Sequence, residues 1–109
     1  MRGAGIAPAV DAALGRLLAG ETRFVVLTLS PSVYLQFANE PNGAVLVEAN
    51  CPADSPAAER VLSAGLRAVQ GPPNYRGNFA SADVGRLSSL ARDYIHALGA
   101  ASISIRSGR

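Results

Sequence analysis

Few residues in this chain could do chemistry: one histidine, one cysteine and eight acidic side chains among 109 residues. His96 falls about half a turn away from the stripe of Leu87 and Leu98 at roughly 100° per residue, and so is expected to face solvent. A transition-metal site needs several converging donors, and with no second histidine and no cysteine pair none is expected. Cys51 would be a nucleophile only with a lowered pKa and a base beside it. Neither is legible around it, so it reads as a structural thiol. No serine lies in G-x-S-x-G, since Leu62-Ser63-Ala64-Gly65 lacks the leading glycine and sits in an expected helix. Gly71 to Gly77 lacks the Gly-Lys-Ser/Thr ending of a phosphate-cradling loop and follows no strand of a βαβ unit, so it reads as a plain loop.

Paired carboxylates fare no better. Glu40, Glu48, Asp54 and Glu59 are close in sequence, but a catalytic pair needs two acids in different environments across a cleft, and only Glu48 falls inside an expected strand. No catalytic residue, metal or cofactor is therefore expected, and the chain reads as a non-enzyme. Tyr34, Gln36 and Glu48 remain, with Leu46 beside them. They form either a hydrogen-bonded cross-strand cluster or the lining of a peptide-binding surface.

The elements that must position these residues centre on Phe24 to Asn50, which reads as three consecutive antiparallel strands. Phe24 to Leu29 is nearly continuously apolar, as suits a strand covered on both faces. Ser30-Pro31-Ser32 stops it. Val33, Leu35 and Phe37 then alternate with Tyr34, Gln36 and Ala38, because successive side chains of a strand point opposite ways. Asn39 to Gly43 turns the chain, with Asn42-Gly43 suited to the positive φ of tight hairpins. In Ala44 to Asn50, Val45, Val47 and Ala49 share one face while Leu46 and Glu48 share the other, and Tyr34, Gln36 and Glu48 are expected on one partly open face.

Three helices flank this meander. Pro8 in a first turn and Val10, Leu14, Leu17 and Leu18 at helical spacing predict a helix over 8–19, stopped by Gly20. Ser55 as cap, Pro56 and Glu59 open a second over 56–69, with Val61, Leu62, Leu66 and Val69 as its stripe and Gly65 as a close packing contact. Gly71 to Ala80 cannot be a central strand, because Pro72 and Pro73 remove donors, though a short extended edge piece fits Tyr75 to Phe79. Ser81 caps a third helix whose face is Val84, Leu87, Leu90, Ala91, Tyr94, Ile95 and Leu98, ended by Gly99. Ala101 to Ile105 alternates like a short strand able to add to a sheet edge. The whole of 1–109 is one α+β domain, an antiparallel sheet of three consecutive strands plus that C-terminal edge strand, with helices on one face.

Composition bounds the function. Hydrophobic residues make up 49% and charged residues 17%, with mean hydropathy +0.19, a globular and somewhat greasy profile with little charge to cover the surface. All ten basic residues are arginine, which a GC-rich coding sequence explains most simply. The formal charge of +2 and pI near 9.2 invite a nucleic-acid reading, but the arginines form no run, so no nucleic-acid partner is expected. The single cysteine excludes an internal disulfide and fits a reduced cytoplasm. Residues 1–20 carry Arg2 and an alanine-rich stretch, but Pro8 and Asp11 interrupt it, so neither export by that route nor a membrane span is expected.

With these pieces in order, the sequence resembles the TY-Chap superfamily, which groups type III secretion chaperones with YbjN-like proteins. The matching pieces are Val33-Tyr34-Leu35-Gln36-Phe37, a turn, Leu46-Val47-Glu48-Ala49-Asn50, the helical Leu62-Ser63-Ala64-Gly65-Leu66, Pro72-Pro73, Asn78-Phe79 and the long third helix. The resemblance implies a secretion-chaperone-like fold and a non-enzymatic module that binds a protein or peptide client, often as a homodimer. On that reading Tyr34, Gln36, Leu46 and Glu48 contact the client. The other reading is a homo-oligomeric interaction subunit without chaperone activity.

Overall fold

The computed structural model describes residues 3–99 and 103–109. Helix α1 (Gly3–Leu18) leads into a meander of β1 (Phe24–Ser30), β2 (Val33–Asn39) and β3 (Ala44–Asn50). Helix α2 (Pro56–Ala64), a two-residue strand β4 (Arg67–Ala68), β5 (Tyr75–Ala80), α3 (Val84–Leu98) and β6 (Ser104–Gly108) complete the chain. All pairings are antiparallel, in the order β4-β5-β3-β2-β1-β6. The meander, the α+β class and the C-terminal edge strand follow the sequence reading. The strand count does not: the sheet has six strands, because the segment after α2 supplies two more.

Alternation decides which face is core. Val25 and Leu27, Leu35 and Phe37, Val45, Val47 and Ala49, and Tyr75 and Phe79 are buried beneath the helices. Against them α1 lays Val10, Ala13, Leu14 and Leu17, α2 lays Ala57, Ala58 and Val61, and α3 lays Leu87, Leu90, Ala91, Tyr94 and Ile95. Burying each large aliphatic or aromatic side chain stabilises the fold by about 1.5–3 kcal/mol. The helices occupy one face only. The apolar run of β1 is thus not covered on both sides: a bulge between Thr28 and Ser30 turns Leu29 out to 44% exposure.

Several boundaries differ from expectation for identifiable reasons. Helix α1 starts five residues earlier than 8, with Pro8 inside it. Helix α2 stops at Ala64 because Gly65 takes a left-handed φ of 111°, and the Leu66 N–H then closes on the Val61 carbonyl. Gly65 is therefore a helix cap, and Leu62 and Val69 are exposed, not part of a buried stripe. The close approach belongs to Gly77, where a Cβ would lie 3.3 Å from Leu66. Ser55 caps α2 as expected, accepting from the Ala58 N–H at 3.3 Å. Ser81 does not cap α3, which begins after Asp83 without a side-chain cap. Strand β5 is interior, between β4 and β3. Pro72 and Pro73 lie before it, in the link from β4, so they remove no donor from its ladder. Residues Ala101 and Ser102 of the expected tail strand lie outside the described residues, and β6 occupies Ser104–Gly108.

Turn chemistry fixes the register that the site depends on. At the β2–β3 turn only Gly43 has positive φ, at 81°, whereas the Asn42 side chain accepts the Ala44 N–H at 3.1 Å. The Gly43 N–H bonds to Glu40 and the Glu40 N–H to Ala44, a tight loop that sets Gln36 opposite Glu48.

Candidate functional site

The face of the sheet away from the helices carries three cross-strand rows. The first runs Gly108, Phe24, Ala38, Leu46 and Asn78 and is mostly apolar. The second runs Arg106, Val26, Gln36, Glu48, Arg76 and Arg67, crossing all six strands. The third, Ser104, Thr28, Tyr34 and Asn50, is hydroxyl-rich. Tyr34, Gln36, Leu46 and Glu48 thus share one face, spread over two adjacent strands. All four are half-buried, as side chains standing among neighbours on a pleated surface with no layer above them.

Within this group the hydrogen bonds run elsewhere than expected. Glu48 does not bond to Tyr34 or Gln36. Its carboxylate accepts from the Arg76 guanidinium at 2.9 and 3.1 Å, across the β3–β5 pair. The Glu48 side chain is 17% exposed and that of Arg76 51%, so the acid is screened beneath the arginine. Glu40 similarly accepts from the Asn78 amide. The hydrogen-bonded cluster expected of Tyr34, Gln36 and Glu48 does not form: Glu48 pairs from β3 toward β5, which leaves Tyr34 and Gln36 available on the β2 side.

There the surface dips. A groove of about 610 Å³ lies over β6, β1 and β2, lined by Thr28, Tyr34, Gln36, Ser104 and Arg106 among others. The aliphatic floor is Val26, with Pro31 at one end. Phe24 closes the neighbouring row: a Cβ at Gly108 would stand 2.9 Å from its ring, so the aromatic side chain lies across β6 where that strand has none. Hydroxyls and an amide around an apolar floor can hydrogen-bond main-chain groups and accommodate side chains of an extended polypeptide, but contain no nucleophile and base in contact.

The end of the sheet beneath Tyr34 is locked from the helix side. The buried Tyr94 hydroxyl lies 2.9 Å from the Tyr34 carbonyl and 3.0 Å from the Asn50 carbonyl, and burial pushes its pKa up, so it stays a donor. The Asn74 side-chain amide pairs with both backbone groups of Cys51, at 3.2 and 2.7 Å, extending the ladder by one unit. Asn50 donates to the Ser32 carbonyl at 2.7 Å and accepts from the Asn74 N–H at 3.1 Å. Together these fix the turn that carries Tyr34. Cys51 is buried, and desolvation raises its thiol pKa, the opposite of an activated nucleophile. His96 is exposed on α3.

Sequence reasoning missed Arg76 and Arg106. The first is hidden because the prolines before β5 mask the strand and no alternation in 75–80 sets its register. The second was legible: Ile103 and Ile105 point inward, which places Arg106 on the open face. Among the described residues no three His, Cys, Asp or Glu side chains come together to hold a metal, and no helix is long and apolar enough to cross a membrane. No protein-family model, no curated protein and no solved structure matches the chain.

Proposed function

We propose that this domain is a non-enzymatic binding module that holds an extended segment of a client polypeptide on the open face of its sheet, in the manner of the secretion chaperones its sequence resembles. The observation that carries this reading is a six-stranded sheet with all three helices on one side and, on the other, an uncovered surface that mixes apolar, charged and hydroxyl-bearing rows. An extended chain needs main-chain partners together with shallow places for alternate side chains, and such a surface offers both. Leu46 and Tyr34 are the contacts expected to carry most of the affinity, since interface energy concentrates in large, well-packed side chains. Gln36 supplies an amide between them, and Glu48 with Arg76 bounds the surface on the β5 side.

The test is a set of labelled ten-residue extended peptides titrated with the domain and read by fluorescence anisotropy. Saturable binding is expected, weakened about tenfold or more by Tyr34→Ala or Leu46→Asp, a loss equivalent to at least 1.4 kcal/mol. Equal affinity in those variants would move the client elsewhere on the molecule. A homo-oligomeric role without client binding is the second reading. It is favoured by the free strand β6, whose edge could pair with another copy. A stable oligomer by light scattering that binds none of the peptides would favour this second reading, and saturable peptide binding would favour the first.

A further inference from the structure

The two edges of the sheet differ. At one, β4 is two residues long and covers only Tyr75 and Arg76 of β5, the Val69 N–H then bonding to Asn74, so that the outward groups past β4 are those of Asn78 and Ala80, whose carbonyl accepts from the Asp83 N–H. At the other, β6 is five residues long and pairs on one side only, with β1. Its outward groups follow from the hydrogen-bond alternation of antiparallel strands. The Glu40 and Ala44 pair bonds directly, so in β2 the residues 34, 36 and 38 address β3 while 35 and 37 address β1. In β1, residues 25 and 27 then face β2 and residues 24, 26 and 28 face β6. Ser104, Arg106 and Gly108 are their partners, which leaves the N–H and C=O groups of Ile105 and Ser107 pointing away from the sheet.

This free edge adjoins the groove over Thr28, Tyr34, Gln36 and Ser104, and its sign is positive. Arg106 is exposed at the groove margin, and no carboxylate among the described residues lies within salt-bridge distance of it, in contrast to Arg76, Arg86 and Arg92. No acidic side chain lines the groove. At the far end of β6 from the groove, Arg109 donates to the Glu21 carbonyl at 3.0 Å and the Arg23 N–H to the Gly108 carbonyl, so the charge beside the groove is that of Arg106.

We propose that β6 accepts an acidic extended peptide as a seventh strand, its main chain bonding to Ile105 and Ser107 and an Asp or Glu side chain reaching Arg106 beside the groove. This rests on the client-binding reading and carries it past the open face: it names an edge, backbone groups and a charge for a stretch of client that lies three strand places from Tyr34 on β2 and four from Leu46 on β3, and so is separate from the stretch that meets those side chains. The added strand continues the row that runs from Arg106 through Val26 and Gln36, so its alternate residues would lie next to that row. A carboxylate there replaces water around an unpaired guanidinium with a charge-assisted, bidentate contact. A second copy of this chain would bring no carboxylate to Arg106 from its own β6, whose residues 104–108 include no Asp or Glu.

The experiment compares an extended decapeptide with glutamate at alternate positions and its glutamine counterpart, on the full chain and on two variants, by anisotropy at low and high salt. Ser107→Pro removes one outward N–H and leaves the ladder to β1 intact, and Arg106→Gln removes the charge. The glutamate peptide is expected to bind about tenfold tighter than the glutamine peptide, with the advantage lost in Arg106→Gln and at high salt, and both peptides to fail on Ser107→Pro. Thermal melting of each variant checks that it is folded. Equal binding of the two peptides, or binding that survives Ser107→Pro in a folded protein, overturns the acidic-strand proposal while leaving the client-binding reading intact. Failure of every peptide overturns both. Self-association abolished by Ser107→Pro, without peptide binding, assigns the edge to a second copy and overturns the proposal as well.

Discussion

The two faces of this sheet are made by the same strands and obey different constraints. On the covered face Leu35, Phe37, Val45, Val47 and Ala49 are fully buried, and each is apolar. On the open face their immediate neighbours Tyr34, Gln36, Leu46, Glu48 and Asn50 are half-buried and of every chemical kind. Packing against helices admits only shapes that fill space. A surface facing water admits anything, so what stands there is free to answer to a partner. The covered face therefore explains why the chain folds, and the open face is where its function must be sought.

That contrast can be broken most forcefully from the covered side. Phe37→Ala empties a fully buried site at the centre of β2 and should destabilise the domain by about 3–5 kcal/mol, measured by urea denaturation, whereas Gln36→Ala one residue away should change stability by about 0.5 kcal/mol or less. Comparable losses at both positions would mean that the open face is also core. Next in size is Tyr94→Phe. It keeps the packing but leaves the Tyr34 and Asn50 carbonyls without their shared donor, and should cost about 1–3 kcal/mol in the same assay.

The middle of the range tests the cap and the exposed ion pair. Gly65→Ala puts a side chain at φ 111° and should cost about 1 kcal/mol, with the loss of helicity read by circular dichroism. The bond between Glu48 and Arg76 lies on the open face with the arginine half exposed, so Glu48→Gln should change stability by less than about 1 kcal/mol, and salt should reduce the difference.

The smallest effect is a pH dependence. Asp11 accepts from the Ser88 hydroxyl at 2.8 Å and from Arg92, tying α1 to α3, and these contacts hold its carboxyl below the ordinary value of 3.8. A carboxyl lowered in the folded state adds stability that is present above 3.8 and disappears as pH falls through its folded value. Wild type should therefore lose slightly more stability than Asp11→Asn on acidification below pH 3.8, by an amount limited by the exposure of the pair. Identical acid profiles would remove this contact from the energetics.

How much of this was legible in the sequence follows the same division. The meander was, because alternation in 33–38 and 44–49 is nearly perfect and because Pro31 and Asn42-Gly43 mark its turns. The faces of Tyr34, Gln36, Leu46 and Glu48 came with it, since a period of two leaves no choice once the core face is known. The edge of α2 was not: Val61, Leu62, Leu66 and Val69 continue a helical stripe past Gly65, and only the backbone shows that the glycine ends the helix. Strand β5 was obscured by the prolines that precede it. The partner of Glu48 was hidden with it, because the pairing of Arg76 depends on a strand 28 residues away.

The open face as a client surface is tested most directly by amide chemical-shift mapping with a saturating extended peptide. The account expects shifts in the backbone amides of β6, β1, β2 and β3 around Ile105, Ser107, Tyr34, Gln36 and Leu46, with the amides of α1 and α3 unmoved. Shifts confined to the helices, or none at peptide concentrations that saturate a comparable strand-binding domain, would contradict it.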